Sequence, residues 1–177
     1  MITRSAPLLA ALLLWAPTTA WSQDLDQLEA NLRKLATNSI PKTVLIKAIV
    51  DQDRQGAGSG AIVSEDGYIL TCSHVIEIGQ RLEVYLADGT KYDAKVVGKN
   101  TRQDFALIKV DTAGESLPTF TIADSDTVKR GDWVVALGHP GGPYKDLKPA
   151  FAAGKVPNAM NDARYYNVKL MQGIHLR

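Results

Sequence analysis

Six short, β-branched segments separated by turns constrain the fold of this chain more than any other feature. Asp66-Gly67 and Asp88-Gly89 each have the composition of a tight hairpin turn. The segment that precedes the second turn alternates apolar and polar residues, which is typical of a strand with one buried face. Six such strands predict a small closed antiparallel barrel whose interior is filled by the alternating side chains. The six segments are residues 43–50, 60–64, 68–72, 81–87, 91–98 and 105–110.

The regions on either side of these strands have different patterns. Before them, four leucines recur at helical spacing, which predicts a short helix in residues 23–41 with Asp24 as a cap. After them, residues 112–126 lack sustained periodicity and are typical of a linker. Residues 132–138 predict another strand, and residues 164–171 form a further alternating run. Two strands are too few to close a second barrel.

The first 22 residues have the pattern of a secretory signal peptide. One charged residue, Arg4, precedes an apolar run from Ala6 to Pro17, and small residues around Ala20 suit a signal peptidase. The run is about a dozen residues long, whereas a membrane-spanning helix needs roughly 20. A stable membrane anchor is therefore the less favoured alternative. The pattern predicts an extracytoplasmic protein, periplasmic or secreted, that begins near residues 21–23 after cleavage.

The net charge of the chain limits the kinds of partner it can bind, and its cysteine content limits the disulfides it can form. It has 20 Lys and Arg against 19 Asp and Glu, and residues 1–22 contribute only Arg4, so the mature chain has 19 of each and no net charge. Without a basic cluster, the sequence argues against nucleic acid as a partner. Cys72 is the only cysteine, which excludes an internal disulfide in an exported protein.

The chain contains four motifs in the order GSGAIVSEDGYILTCSHV (58–75), DGTKYDAKVVG (88–98), RQDFALIKV (102–110) and ADSDTVKRGDWVVALGHPGG (123–142). In this order they resemble the protease domain of the HtrA/Deg family of trypsin-like serine proteases. The resemblance implies an all-β, trypsin-like double barrel, endopeptidase activity on exported or misfolded polypeptides, and no cofactor. Combined with the patterns above, it predicts a signal peptide (1–22), a helical segment (23–41), a complete first barrel (42–112), and a linker with an incomplete second barrel (113–177).

By this resemblance, His74 and Asp104 are two members of a catalytic triad. His74 would be the general base, and Asp104 would hold its ring in the right tautomer and stabilise the imidazolium. A histidine first and an aspartate second is also the chain order of chymotrypsin-like proteases. Each residue alone has a structural explanation, as a histidine after one strand or a polar residue that begins another. The two together, in their motifs, favour the catalytic interpretation.

The third member, a serine in a Gly-rich turn after Asp104, does not occur in the sequence. The last serine is Ser125, and Ser59, although flanked by glycines, belongs to a first-barrel motif. Because loss of a serine nucleophile costs on the order of 10⁶ in rate, the chain as given is predicted to be inactive. Truncation, a frameshift, an internal deletion and a genuine pseudoprotease are open explanations. The alternative function is a non-catalytic module that binds a peptide or a protein.

The other residues of chemical interest have structural explanations. Cys72 precedes His74 by two residues, and a thiol–imidazole pair is a known nucleophile, but a buried structural cysteine is the favoured interpretation. His74, His139 and His175 lack metal-ligand spacing, so no metal site is predicted. An unfinished second barrel leaves the apolar face of residues 133–137 uncovered, which predicts self-association.

Overall fold

The computed structural model describes residues 19–140 and 147–156, with side chains from residue 24 onward. Within these residues, two helices and eight strands make up the regular structure, and two short 3-10 turns, Ile40–Lys42 and Ser125–Thr127, accompany them. The elements are α1 (Thr19–Ser39), β1 (Thr43–Ile49), β2 (Gln55–Ile62), β3 (Tyr68–Thr71), α2 (Ser73–Glu77), β4 (Arg81–Tyr85), β5 (Lys91–Asn100), β6 (Phe105–Val110), β7 (Trp133–Gly138) and β8 (Ala150–Lys155).

The first six strands form a closed barrel, as the sequence predicts. Their order around the barrel is β1-β2-β3-β6-β5-β4, and every pair is antiparallel. Strand β1 closes the barrel because it pairs with β2 along one edge and with β4 along the other. Branched aliphatic side chains fill the interior. Those with no exposed surface are Val44, Ile46, Ile62, Ile69, Val84, Ile108 and Val110.

Strand β2 begins at Gln55, five residues earlier than the sequence predicts. Its first half contains Gly56 and Gly58 and lacks the apolar alternation by which strands are found. Gly58 is required by packing, since a Cβ there would lie 2.5 Å from both Cγ atoms of Val75. The glycine thus allows helix α2, which contains Val75, to approach the barrel closely.

Helix α1 begins at Thr19, so Asp24 lies within the helix and the predicted cap at Asp24 is wrong. The helix also extends across residue 22, the predicted end of the signal peptide, and that boundary remains a prediction. Within residues 19–140 and 147–156, no helix is both long enough and apolar enough to cross a membrane.

A second, partial sheet follows the barrel, in agreement with the predicted incomplete second barrel. Strands β7 and β8 pair antiparallel from Trp133 opposite Lys155 to Gly138 opposite Ala150. Strand β8 was not predicted, because its Ala- and Gly-rich sequence has no alternation. The alternating run at 164–171 lies outside the described residues.

Glu83 on β4 is a buried carboxylate, 5% exposed, with three hydrogen-bond donors. Arg81 Nη2, Tyr85 Oη and Lys91 Nζ lie 2.6, 2.7 and 2.7 Å from its oxygens. The hydrogen bonds from Lys91 and Tyr85 lower the pKa of Glu83 and outweigh the opposing effect of burial, and the charges of Lys91 and Arg81 lower it further. Glu83 is therefore ionised in the folded barrel.

Replacing Glu83 by Gln should destabilise the barrel at neutral pH by about 1–3 kcal/mol, because it weakens charged hydrogen bonds in a buried site. The folded-state pKa of Glu83 is below its unfolded value of about 4.3. The stabilisation is therefore present above pH 4.3 or so and is lost as the pH falls through the folded-state pKa. Urea unfolding over a pH series should show the difference between wild type and Glu83→Gln shrinking in acid. Glu77→Gln, at an exposed position, is the control. Equal effects of both variants on the free energy of unfolding at neutral pH would contradict a stabilising role for ionised Glu83.

Candidate active site

The pairing of β3 with β6 brings together the two segments that contain His74 and Asp104. Thr71, the last residue of β3, lies opposite Ala106, the second residue of β6. The chain continues past Thr71 into α2, which contains His74, while Asp104 directly precedes β6. Two residues 30 positions apart in sequence thus meet at one end of the barrel.

His74 and Asp104 are joined by two hydrogen bonds. His74 Nδ1 lies 2.7 Å from Asp104 Oδ2, and the backbone N–H of His74 donates to Oδ1 at 3.0 Å. Ser73, whose side chain is buried, donates its hydroxyl to the same Oδ1 at 2.9 Å. The contact expected from the motifs is present, and the carboxylate is fixed from two directions.

Ser73 is a site residue that the sequence interpretation missed. Its hydroxyl bonds Asp104 and so helps to orient the carboxylate that bonds the His74 ring. In the sequence, only its position next to His74 indicated that Ser73 belongs to the site. The motif does not show which group the serine hydroxyl bonds. The register of β3 and β6 determines that partner.

Asp104 adopts the left-handed backbone region, with φ of 58°. Few residues other than glycine occupy this region, and Asp and Asn are the common exceptions. Strained backbone of this kind is concentrated at functional sites, where the surrounding structure maintains it. Here the hydrogen bonds to Ser73 and His74 supply that support.

The carboxylate of Asp104 is ionised. Burial raises its pKa, but the hydrogen bonds from the His74 backbone, the His74 ring and the Ser73 hydroxyl together lower it below the ordinary value. An ionised acceptor at Oδ2 favours the tautomer with a proton on Nδ1, which leaves the lone pair of Nε2 available. The side chains of His74 and Asp104 are 67% and 46% exposed, so solvent and ligands can reach them.

Cys72 is only half-buried, in contrast to the buried structural cysteine expected from the sequence. It is the N-cap residue of α2, immediately beside Ser73 and His74. Burial raises the pKa of the Cys72 thiol, and the nearby Asp104 charge raises it further. A reactive cysteine needs a lowered pKa, and the environment of Cys72 has the opposite effect. It is therefore a poor candidate for the nucleophile.

His139 is buried and lies at the end of β7. Its backbone N–H donates to Ser59 Oγ at 2.8 Å, and its ring Nε2 lies 3.1 Å from the carbonyl oxygen of Leu147. These contacts link the second sheet to strand β2 and to the segment before β8. They agree with a structural role for His139.

No serine hydroxyl is hydrogen-bonded to the His74 ring in the described part of the chain, 19–140 and 147–156. Two serines follow Asp104 in the sequence. Ser116 donates its hydroxyl to Glu65, and Ser125 begins a 3-10 turn. Neither has the position of a nucleophile.

The sequence matches the family described as Trypsin-like peptidase domain over residues 58–172, about two thirds of the chain. This chain belongs to the trypsin-like peptidase family. That membership confirms the family predicted from the motifs and agrees with the six-stranded barrel, the partial second sheet and the N-terminal helix.

Curated relatives of the chain are described as probable periplasmic serine endoproteases, DegP-like. The protein from Ectopseudomonas mendocina is 35% identical over 140 residues, which are 79% of this chain and 29% of the relative. The protein from Halomonas elongata is 46% identical over 91 residues, or 51% and 19% of the two chains. That from Chlamydia trachomatis is 47% identical over 85 residues, or 48% and 17%. The chain therefore spans less than a third of the length of these relatives.

Proposed function

We propose that this chain contains the general base and orienting carboxylate of an extracytoplasmic, trypsin-like serine endopeptidase, and that the 177-residue polypeptide does not itself hydrolyse peptide bonds. The observation that carries the proposal is the 2.7 Å contact between His74 Nδ1 and Asp104 Oδ2. Family membership supports a polypeptide substrate, and the relatives' description as periplasmic supports export after cleavage of residues 1–22.

In this proposal His74 is the general base, and Asp104 orients its ring and stabilises its protonated form. Asp104 accepts the Nδ1 proton, so Nε2 can take a proton from a nucleophile, and the ionised carboxylate then stabilises the imidazolium. Ser73 positions Asp104 and does not contact the ring nitrogen that takes the proton. Within residues 19–140 and 147–156 no serine hydroxyl is hydrogen-bonded to the His74 ring, so in this proposal no acyl intermediate forms on a serine.

The tautomer of His74 tests its proposed role. In the neutral imidazole, ¹⁵N NMR should find the His74 proton on Nδ1, the nitrogen that contacts Asp104 Oδ2. In Asp104→Asn the proton should move to Nε2, because the amide replaces an acceptor with a group that can donate. Asp53→Asn, at an exposed position, is the matched control and should leave the spectrum unchanged. A proton on Nε2 in wild type, or no change in Asp104→Asn, would overturn the assignment.

The second candidate function is a non-catalytic, peptide-binding pseudoprotease. The closed barrel favours it, because residues 43–110 complete that barrel without any contribution from a nucleophile loop. Both candidates predict no hydrolysis by this polypeptide. They differ in whether the barrel surface itself binds peptides.

A further inference from the structure

Cys72, His74 and Asp104 form a cluster of three metal-ligand types at one end of the barrel. The thiol sulfur, an imidazole nitrogen and a carboxylate oxygen all lie within 4.8 Å of one another. Zinc in proteins is bound by these three kinds of ligand. We propose that the cluster binds a zinc-class divalent cation, Zn²⁺ or Co²⁺, through one atom of each side chain.

The spacing of the three atoms is close to that of a tetrahedral site. Metal–ligand distances of about 2.0–2.3 Å place neighbouring ligand atoms about 3.3–3.7 Å apart in a tetrahedron. All separations in the cluster are within 4.8 Å, at most about 1.5 Å more than the tetrahedral spacing, a distance that side-chain rotation can close. His74 and Asp104 are exposed enough for an ion to enter and for water to take the fourth position.

Two hydrogen bonds hold the carboxylate in place for an incoming ion. Asp104 Oδ1 accepts from Ser73 Oγ and from the His74 N–H, and neither bond involves the imidazole ring. The Nδ1–Oδ2 hydrogen bond can therefore be lost without release of the carboxylate. Because metals bind the thiolate, the ion replaces the thiol proton of Cys72, which passes to solvent. Where Nδ1 is the imidazole ligand, the ring proton moves from Nδ1 to Nε2, so the ring stays neutral.

Sequence spacing alone does not reveal this site. Zinc motifs place pairs of Cys or His two to five residues apart within one segment. Here Cys72 and His74 are close in sequence, but the third ligand is 30 residues further on and arrives only through the pairing of β3 with β6. The prediction of no metal site considered the three histidines, whereas the cluster contains one. The inference rests on this geometry and does not depend on the proposed protease function.

Calorimetric titration of the full chain with Zn²⁺ tests the proposal. We expect saturable binding of one ion per chain. Cys72→Ser, which keeps the side-chain size, and Asp104→Asn should each weaken binding at least about tenfold, since even outer-shell partners of zinc ligands contribute that much. Asp53→Asn, an exposed matched control, should bind as wild type does. Circular dichroism verifies that each variant is folded.

A second measurement uses only the wild-type chain, so it does not depend on the folding of any variant. Because Cys72 is the only cysteine, its alkylation by iodoacetamide reports on one site. Zn²⁺ should slow that alkylation at least about tenfold, and Co²⁺ should produce a thiolate-to-metal charge-transfer band. The proposal is overturned if wild type binds no ion stoichiometrically, if binding is equal in Cys72→Ser, or if Zn²⁺ leaves the alkylation rate unchanged.

Discussion

Replacing Ile108 by Ala is expected to lower the free energy of unfolding by about 2–5 kcal/mol, the range for a large-to-small change in a packed core. Ile108 has no exposed surface and lies near the middle of β6, opposite Ile69 of β3 on one side and Val96 of β5 on the other. Its side chain projects into the barrel, and its loss leaves a cavity that six paired strands cannot easily collapse. The midpoint of urea unfolding measures the effect.

Ile122→Ala provides the matched control because the same atoms are removed from a side chain that is 77% exposed. Its effect should be within about 0.5 kcal/mol. If Ile108→Ala leaves too little folded protein, Ile108→Val should still cost about 0.5–1.5 kcal/mol. Equal shifts for positions 108 and 122 would contradict a barrel closed around Ile108.

The sequence predicts the barrel well because its strands are short β-branched segments separated by turns, and some of them alternate between a buried and a more exposed face. Strand β6 follows this rule, with Ala106, Ile108 and Val110 buried and the residues between them less so, and Asp-Gly turns separate β2 from β3 and β4 from β5. The first half of β2 and the whole of β8 do not follow it. Their small residues form strands because a partner strand supplies the hydrogen bonds, and that information lies elsewhere in the chain.

The candidate site was predicted in part for a related reason. His74 and Asp104 occur in motifs, so their side-chain types and order were visible in the sequence. The hydrogen bond from Ser73 and the partial exposure of Cys72 depend on where α2 begins and how β3 meets β6. Such contacts result from tertiary register, which no local pattern encodes.

The absence of hydrolysis by the 177-residue polypeptide is the prediction with the largest expected effect. His74 is hydrogen-bonded to Asp104, but a general base accelerates acyl transfer only when a nucleophile is within reach. Removing the serine from a serine protease costs on the order of 10⁶ in rate, even when the histidine and aspartate remain. Cys72 does not replace it, because its environment raises the thiol pKa. Casein cleavage should therefore stay at the level of the His74→Ala variant.

Labelling of the purified chain with a serine-directed fluorophosphonate tests the central claim most directly, with an active trypsin-like protease as the positive control. The account predicts no labelling of wild type above that of His74→Ala. Labelling that requires His74 and disappears when one serine is changed to alanine would contradict it, since a nucleophile would then be present beside the base.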